Sequence, residues 1–589
     1  FVQLKALPLT PNGKVNRQAL PAPDNVRPEL EAKFVPPRTP IEEAIARIWA
    51  QVLEIERVGI HDNFFELGGD SIMSIQIIAR VNQAGLQATP KQLFEYPTVA
   101  GLAAVVGTTP TFHAEQAMVT GSLPLTPNQY EFFEQKPDNP HHWSQGLLLE
   151  VHDAMVPALL EQTVQHLLEH HDALRLRFIP TESGWQLINA GWDTSETVPF
   201  SYIDLSGQSV AEQNTAINTT ISQLQASLNL TEGSLLQVAL FNLGENQPHR
   251  LLVVIHHLVV DRVSWGILLA DLQQVYQQIS QGQSVQLPPK TTSFKQWSEY
   301  LQKYARSAQL QQERDYWLQA SQSIPPLPVD DPKGANTTDS VESILVSLSV
   351  QETHALLQEV PAAYRTQIND VLLTALVQTF NQWTQEHSLL VDLEGQGRDA
   401  IANDIDLSRT VGRFTTRFPL LLTLEGILEP GEALKALKEQ LRSIPNQGID
   451  YSVLRYLSED ESVVASLPQA EVKFSYLDQI LLDSSLFQPV KKIPGINPRT
   501  NRRYLLEING FVLEEQLQLE WTYNAKIHYP ETIQQLTTRF VEILRSLITH
   551  CQSANARSYT PSDFPKANLN QKDLDQFLAK LNQRTNKTS

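Results

Sequence analysis

Two adjacent histidines and an aspartate, in His256-His257-Leu258-Val259-Val260-Asp261, stand directly after the apolar run Leu251 to Ile255. Five apolar residues rich in β-branched side chains read as a buried strand, and polar groups at its end are costly unless they are hydrogen-bonded or used. Successive strand residues face opposite sides, so one imidazole can meet a cavity while the other makes structural hydrogen bonds. One histidine is therefore a candidate base and its neighbour scaffold. A second cluster follows the short apolar strand Leu389 to Leu393, which delivers Glu394 and then Gly395-Gln396-Gly397-Arg398-Asp399. Glycines flanking a strand-end polar residue suggest a tight turn facing a cavity. A salt bridge from Glu394 to Arg398 is the competing, purely structural reading. The third stretch, Val472 to Gln479, alternates apolar and polar residues as a strand, with Tyr476 most simply a packed aromatic.

Chemistry of other kinds is also written into the chain. Gly68-Gly69-Asp70-Ser71 precedes Ile72, Ile75, Ile78, Ala79 and Val81 at helical spacing, which puts Ser71 at a helix start. An N-cap is the plain account of Asp70-Ser71. The functional one is that two glycines allow close approach, and the positive end of a helix stabilises a phosphate attached there. His166-Leu167-Leu168-Glu169-His170 fits a zinc-peptidase pattern, but three fixed positions make a weak signal, and a structural helix is the better reading; no metal site is expected. Near the N-terminus, Leu7 to Val15 contains Gly13-Lys14 without the glycine spacing of a phosphate loop.

These residues must be positioned by several domains, since 589 residues make roughly three or four units of ~150. Residues 1–24 are too poor in apolar residues for a core of their own, and 25–40 read as a proline-rich linker. A helical unit spans 41–106: Ile41, Ala44, Ile45, Ile48, Trp49 and Val52 line one helix face, and helices over Lys91–Phe94 and Thr98–Val106 follow. A second linker covers 107–122. From 123 onward, strand-like runs (146–151, 235–241, 251–255) alternate with helical ones (156–170, 263–279), predicting an α/β fold with a mixed sheet, broken near 324–338 into halves 123–335 and 336–558. Residues 559–589 read as a linker or docking helix. The excess of 65 acidic over 45 basic residues disfavours nucleic acid and anionic membrane as partners. A single cysteine, Cys551, excludes an internal disulfide, and the chain reads as cytoplasmic.

Residues 62–71, Asp-Asn-Phe-Phe-Glu-Leu-Gly-Gly-Asp-Ser, closely resemble the signature of peptidyl carrier proteins, which implies 4'-phosphopantetheine carried covalently on Ser71 beside Asp70. Residues 7–15 resemble the last motif of adenylation domains, with Lys14 as the matching lysine. His256-His257 through Asp261, Glu394 with Arg398, Val411 through Thr415, and Phe474 through Gln479 resemble, in order, the epimerization domain of nonribosomal peptide synthetases, a relative of the condensation domain. The resemblance implies a four-helix carrier bundle, then an α/β domain of two chloramphenicol-acetyltransferase-like lobes with a tunnel between them for the carrier arm. It implies inversion of Cα in an aminoacyl or peptidyl thioester by two opposed acid/base groups, His257 and Glu394. His256, Asp261, Arg398 and Ser475 would support the site, and Tyr476 would steady the developing enolate. An ordinary histidine pKa of ~6.5, and a glutamate raised towards it by burial, suit such proton transfers. The partners implied are the chain's own carrier, an upstream adenylation domain, the condensation domain of the next module and a phosphopantetheinyl transferase.

The chain departs from the family pattern at several positions: Arg262 replaces a usual glycine, Gln396 a histidine and Arg413 a tryptophan, while Ser475 and Asp478 replace asparagine and glycine. Arg262, Gln396 and Arg413 are thereby candidates for shaping the tunnel towards an acidic or polar substrate. Two alternatives share the fold: an amide-forming condensation domain, and a catalytically silent domain that recruits a tailoring enzyme.

Overall fold

The computed structural model describes residues 34–577 except 54, 70, 87, 89–91, 94–95, 108–113, 152–154, 183, 193–196, 234, 246, 320–324, 399–404, 428, 478–485, 494–501, 554–557 and 565–568. Lys14, Asp70, Asp478 and the chain beyond 577 therefore lie outside the described residues. Contacts divide the described residues into two units, one comprising 34–107 with the short segment 405–408, and the other running from Ala114 to 398 and from Arg409 onward.

In the first unit, Pro40–Val52 forms helix α1, opened by Thr39, whose hydroxyl accepts from the Glu42 N–H at 3.2 Å. Its buried face carries Ile45, Ile48, Trp49 and Val52, the stripe that the spacing predicts. Trp49 meets Phe64 edge to face at 5.4 Å, and both are fully buried. Helix α2, Ser71–Gln83, and helix α3, Val99–Val105, pack on α1 and close an all-helical core. The short helix expected over Lys91–Phe94 is described at residues 92 and 93, which are helical.

The second unit is α/β. A five-stranded sheet has the order β12-β2-β7-β6-β5, and a six-stranded one the order β10-β9-β11-β13-β14-β8. In the first, β2 is Ser144–Val151, β5 Phe200–Asp204, β6 Leu236–Asn242, β7 His249–His256 and β12 Phe487–Ile493. The second contains β8 (Val341–Ser347), β9 (Ser388–Gly395), β10 (Thr416–Thr423), β11 (Val472–Leu477), β13 (Leu506–Leu513) and β14 (Gln516–Asn524). A small third sheet joins β1 (Gly121–Leu123), β4 (Gly184–Asn189) and β3 (Leu176–Thr181). Leu251 to Ile255 are all at most 4% exposed. Leu252 and Val254 pack in one cluster with Ile217 and Ile221 of helix α5, Val210–Ala226, which follows helix α4, Pro157–His170. A strand buried on both faces reads as a continuous apolar run, which is why this element was legible.

Three boundaries differ from the sequence-based expectation. The linker expected over 107–122 ends early: Val119 is 3% exposed, its carbonyl accepts from Arg175 at 3.3 Å, and Gly121 and Ser122 pair with β4. The halves 123–335 and 336–558 exchange a strand, since β12 lies antiparallel to β2 at the edge of the first half's sheet. Residues 559–577 are not a loose tail. Thr560 is fully buried, Asp563 pairs with the buried Lys438 at 2.7 Å, and Leu574 is 2% exposed. Among the described residues, no helix is long and apolar enough to cross a membrane.

A buried ion pair connects the halves. Asp261 caps helix α6, Arg262–Ser280, by accepting from Ser264 N–H at 2.8 Å. Its carboxylate also accepts from Arg398 at 2.9 and 3.2 Å and from the Phe414 N–H at 3.1 Å. The Arg398 guanidinium also donates to Ser264 Oγ at 2.9 Å and Thr410 O at 2.8 Å, and stacks on the Phe414 ring. Removing one partner of such a pair leaves the other charge buried, so Asp261→Ala is expected to cost about 3–5 kcal/mol. Asp261→Leu with Arg398→Met should recover most of that loss. Urea denaturation of the three chains checks this, and a loss below about 1 kcal/mol in Asp261→Ala contradicts it.

Candidate functional site

His256 ends β7 and spends both ring nitrogens on the backbone: Nδ1 accepts from Leu258 N–H at 3.2 Å, and Nε2 donates to Pro140 O at 2.9 Å. Burial pushes its pKa down to about 3. It is the scaffold histidine. His257 opens the following turn, Nδ1 lying 3.2 Å from Val260 O. A carbonyl only accepts, so Nδ1 carries the proton and Nε2 is the basic, accepting nitrogen. Gln145 lies 3.4 Å from that Nε2 through its amide nitrogen. Its orientation is set by the Trp265 indole, a donor only, which bonds Gln145 Oε1 at 2.9 Å. Burial and the Arg413 charge push the His257 pKa well below the ordinary value, so the ring is a neutral base at pH 7.

Glu394 approaches from the other sheet, near the end of β9. Residues directly opposite in a sheet share a face, and Arg417 on β10 is its register partner. Lys473 on β11 faces the same way, its Nζ 2.8 Å from Glu394 Oε1, with an Arg417 nitrogen at 3.6 Å. Burial pushes the Glu394 pKa up, but the charges of Lys473 and Arg417 outweigh it and hold the group at about 2. This corrects the expectation of a glutamate raised towards neutrality. It also corrects the Glu394–Arg398 salt bridge. Gly397, at φ +64°, turns the chain where a Cβ would lie 1.8 Å from Phe414 O, and Arg398 goes to Asp261 instead.

Around this core the described residues add a charged network that sequence reasoning missed. Glu131 accepts from Arg417 at 2.8 Å and Arg503 at 3.1 Å. Arg503 also pairs with the fully buried Asp392 at 3.2 Å, and the Tyr504 hydroxyl donates to the same carboxylate at 2.5 Å. The available signal for Lys473 was a charge set between buried Val472 and Phe474. Nothing local marked Gln145, Arg417 or Glu131: Gln145 lies 112 positions from His257, and Glu131 lies 286 from Arg417.

The remaining expected residues fall in different places. Ser475 shares the face of Lys473, is 4% exposed, and its Oγ has no hydrogen-bond partner among the described residues. Tyr476 takes the opposite face. Its ring lies over Gly510 beside Leu519, on the side where Trp521 packs between Phe380 and Phe540 of the helices Ile368–Thr384 and Pro530–Cys551. The register thus turns Tyr476 away from Glu394, and the enolate-donor role expected of it is not carried forward. Arg262 is the first residue of α6 and Gln396 follows β9, both half-buried. Arg413, 6% exposed, is brought against the histidine: its guanidinium lies 4.4 Å from the Trp143 ring centroid, and His257 meets that ring at 4.5 Å.

On α4, His166 is partly exposed and lies 3.7 Å from Glu169. His170 and His171 converge instead with Asp271, ligand atoms within 4.8 Å of one another. Asp271, however, accepts from His171 at 3.0 Å and is ion-paired to Arg409, which puts a guanidinium on the carboxylate that a metal would need.

In the helical unit, Ser71 is the first residue of α2, whose first turn contains no acidic residue. Gly69 lies where a Cβ would come within 2.3 Å of the Phe64 ring, so the backbone entering the helix is drawn tight on the core. A helix N-terminus with no acidic residue in its first turn fits a phosphodiester on that serine.

Comparison with known proteins agrees with both units. Residues 119–570 match the condensation domain family, and residues 43–106 match the phosphopantetheine attachment site family. Linear gramicidin synthase subunits C and D of Brevibacillus parabrevis are each 48% identical over 98% of the chain, and chondramide synthase of Chondromyces crocatus is 46% identical over 99%. The chain spans 8%, 12% and 15% of the length of these relatives. Among solved structures, the epimerization domain from the third module of tyrocidine synthetase B is 34% identical, with a TM-score of 0.68 over 74% of this chain and 99% of that one. The condensation domain of the monacolin K polyketide synthase is 14% identical with a TM-score of 0.59, over 74% of this chain and 98% of that one, a likeness of fold alone. With a phosphopantetheine attachment domain followed by a two-lobed α/β domain, the chain belongs to the condensation-domain superfamily of the nonribosomal peptide synthetases.

Proposed function

We propose that the second unit inverts Cα of an aminoacyl or peptidyl thioester, with His257 and Glu394 as the two acid/base groups. The observation that supports this best is the presence of a neutral histidine, whose tautomer makes Nε2 the acceptor nitrogen with only the long 3.4 Å contact from Gln145 on it, together with a carboxylate delivered from the other sheet. Phosphopantetheine on Ser71 would supply the thioester, whose sulfur and carbonyl acidify the adjacent Cα–H.

His257 Nε2 takes the Cα proton, and the electron pair of that C–H bond moves onto the acyl carbonyl oxygen. The buried Ser475 hydroxyl is the donor suited to that developing charge. On the opposite side Glu394 must receive a proton before it can give one, because at neutral pH it is ionised. Lys473, 2.8 Å away, is placed to pass a proton to Glu394, which returns it to the other face of Cα. Solvent then takes the proton from His257 and restores that of Lys473. Gln145 and Trp265 are positioning residues that keep the His257 ring oriented. In such a module the partners would be the carrier itself, neighbouring adenylation and condensation domains, and a transferase that modifies Ser71.

The test loads Ser71 with L-aminoacyl-phosphopantetheine groups and follows Cα exchange in deuterated water together with the appearance of D product. His257→Ala or Glu394→Gln should slow inversion by about 10²–10⁴-fold, and Glu394→Gln should leave exchange without inversion on one enantiomer. Amide formation with a second carrier, without exchange, would instead assign a condensation domain. Absence of both reactions would point to the recruitment reading.

The pH profile follows from the charge states. A histidine pKa lowered by burial keeps the base form present to lower pH, so kcat/KM for exchange should stay level between about pH 6 and 8 rather than fall around the ordinary ~6.5. Lys473→Met removes the strongest charge holding Glu394 down, so burial should raise its pKa and a new pH-dependent limb should enter the profile from the acid side. A wild-type limb centred near ~6.5 contradicts the assignment of a neutral His257.

A further inference from the structure

The network beside Glu394 does not balance. Glu131, Asp392, Glu394 and Asp261 face Arg413, Arg417, Lys473, Arg503 and Arg398, so five cationic side chains share four carboxylates, Asp261 being taken by Arg398. Arg417 pairs with Glu131 and Glu394, Lys473 with Glu394, and Arg503 with Glu131 and Asp392. Arg413 is left over. Among the described residues no carboxylate lies within 4.0 Å of its guanidinium nitrogens, none of them makes a hydrogen bond, and Nε is wholly buried. A guanidinium this buried normally recruits a partner, because an uncompensated charge in a low-dielectric site is costly.

Its position says what that partner would be. Phe132 stacks on Trp143 at 4.7 Å with an interplanar angle of 7°, which covers one face of the indole. Arg413 takes the other face at 4.4 Å, and His257 meets the ring edge-on. The Arg413 main chain is itself held, its carbonyl accepting from Asn128 at 3.1 Å while the flanking Gly412 and Phe414 N–H groups bond Ser264 Oγ and Asp261. The guanidinium is thus fixed next to the ring that removes the Cα proton. The anionic group within its reach is one carried on the substrate's own side chain; a pantetheine phosphate is the full length of the arm away from the thioester.

We infer that Arg413 is the recognition residue for a side-chain carboxylate, making this an epimerase site for an acidic aminoacyl or peptidyl group, an inference that rests on the function proposed above. A bidentate guanidinium–carboxylate pair supplies both charge and direction. It also bears on the chemistry, since an unpaired side-chain carboxylate would oppose the negative charge that develops one or two carbons away. Arg413 offsets it.

Two measurements on the full chain test the inference. With Ser71→Ala, so that no native arm competes, stable amide-linked aspartyl-, glutamyl-, asparaginyl- and glutaminyl-pantetheine are titrated by calorimetry. An acidic ligand should bind about 10- to 100-fold more tightly than its amide, the range of a charge-assisted pair. That ratio should collapse towards one in Arg413→Met and be partly kept in Arg413→Lys. With Ser71 intact, the same four acyl groups are loaded and the ratio of Cα exchange rates, acid to amide, should follow the same order. Equal binding of acid and amide by the chain with native Arg413 overturns the carboxylate assignment, whatever the variants do. Preferential binding of the acidic ligands with no exchange of any acyl group supports the carboxylate site while overturning the epimerase reading.

Discussion

Asp261 and Arg398 meet at 2.9 Å, each 4% exposed, one at the cap of α6 in the first half and the other after β9 in the second. Each is the other's solvation, so neither half can withdraw without burying a bare charge. The same carboxylate takes the Phe414 N–H, and Ser264 bonds both the N–H and the carbonyl of Gly412. The segment between, which is Arg413, is consequently set against Trp143, and the turn after β9 is set so that Glu394 keeps its place in the sheet. The catalytic candidates hang from this pair without touching it.

The site built on that frame works by moving charge states apart rather than towards neutrality. Burial alone would protonate Glu394, and the charges of Lys473, Arg417 and Arg413 reverse the outcome. Arg413, added to burial, keeps His257 in its neutral form. Both groups thus rest as bases, and a two-base inversion in this chain must draw its second proton from a neighbour. Under the proposed function, Lys473, 2.8 Å from Glu394, holds the position from which that proton would come. The surplus cation at Arg413 is the other side of this arrangement. Under the inference drawn above, it would make the site complementary to an anion carried by the substrate.

Legibility in the sequence followed locality. The strand Leu251–Ile255, the apolar stripe of α1 and the helix start at Ser71 were readable because burial on one element writes a period into a few consecutive residues. The roles of His256 and His257 were half readable: alternation separates the two rings, but which one keeps a free nitrogen depends on Pro140, Val260 and Gln145. Signature stretches identified the carrier and the superfamily for the same reason, being contiguous. Arg413 was marked out only as a departure from a pattern, with no indication that it would lack a partner.

By itself, then, the sequence determined the kinds of element, their order, the carrier domain and the residue types that can move a proton. Tertiary structure decided which of those residues share a face. Register between β9, β10 and β11 put Lys473 and Arg417 beside Glu394 and turned Tyr476 to the helix-covered side, and a one-residue difference in register would have reversed both. It also sent Arg398 across to Asp261, moved β12 into the other half's sheet, and buried Thr560 and the Asp563–Lys438 pair. Each of these is a contact between residues far apart in the chain. Local periodicity carries no record of such contacts, because the free energy that selects them comes from charge pairing and burial shared between elements rather than within one.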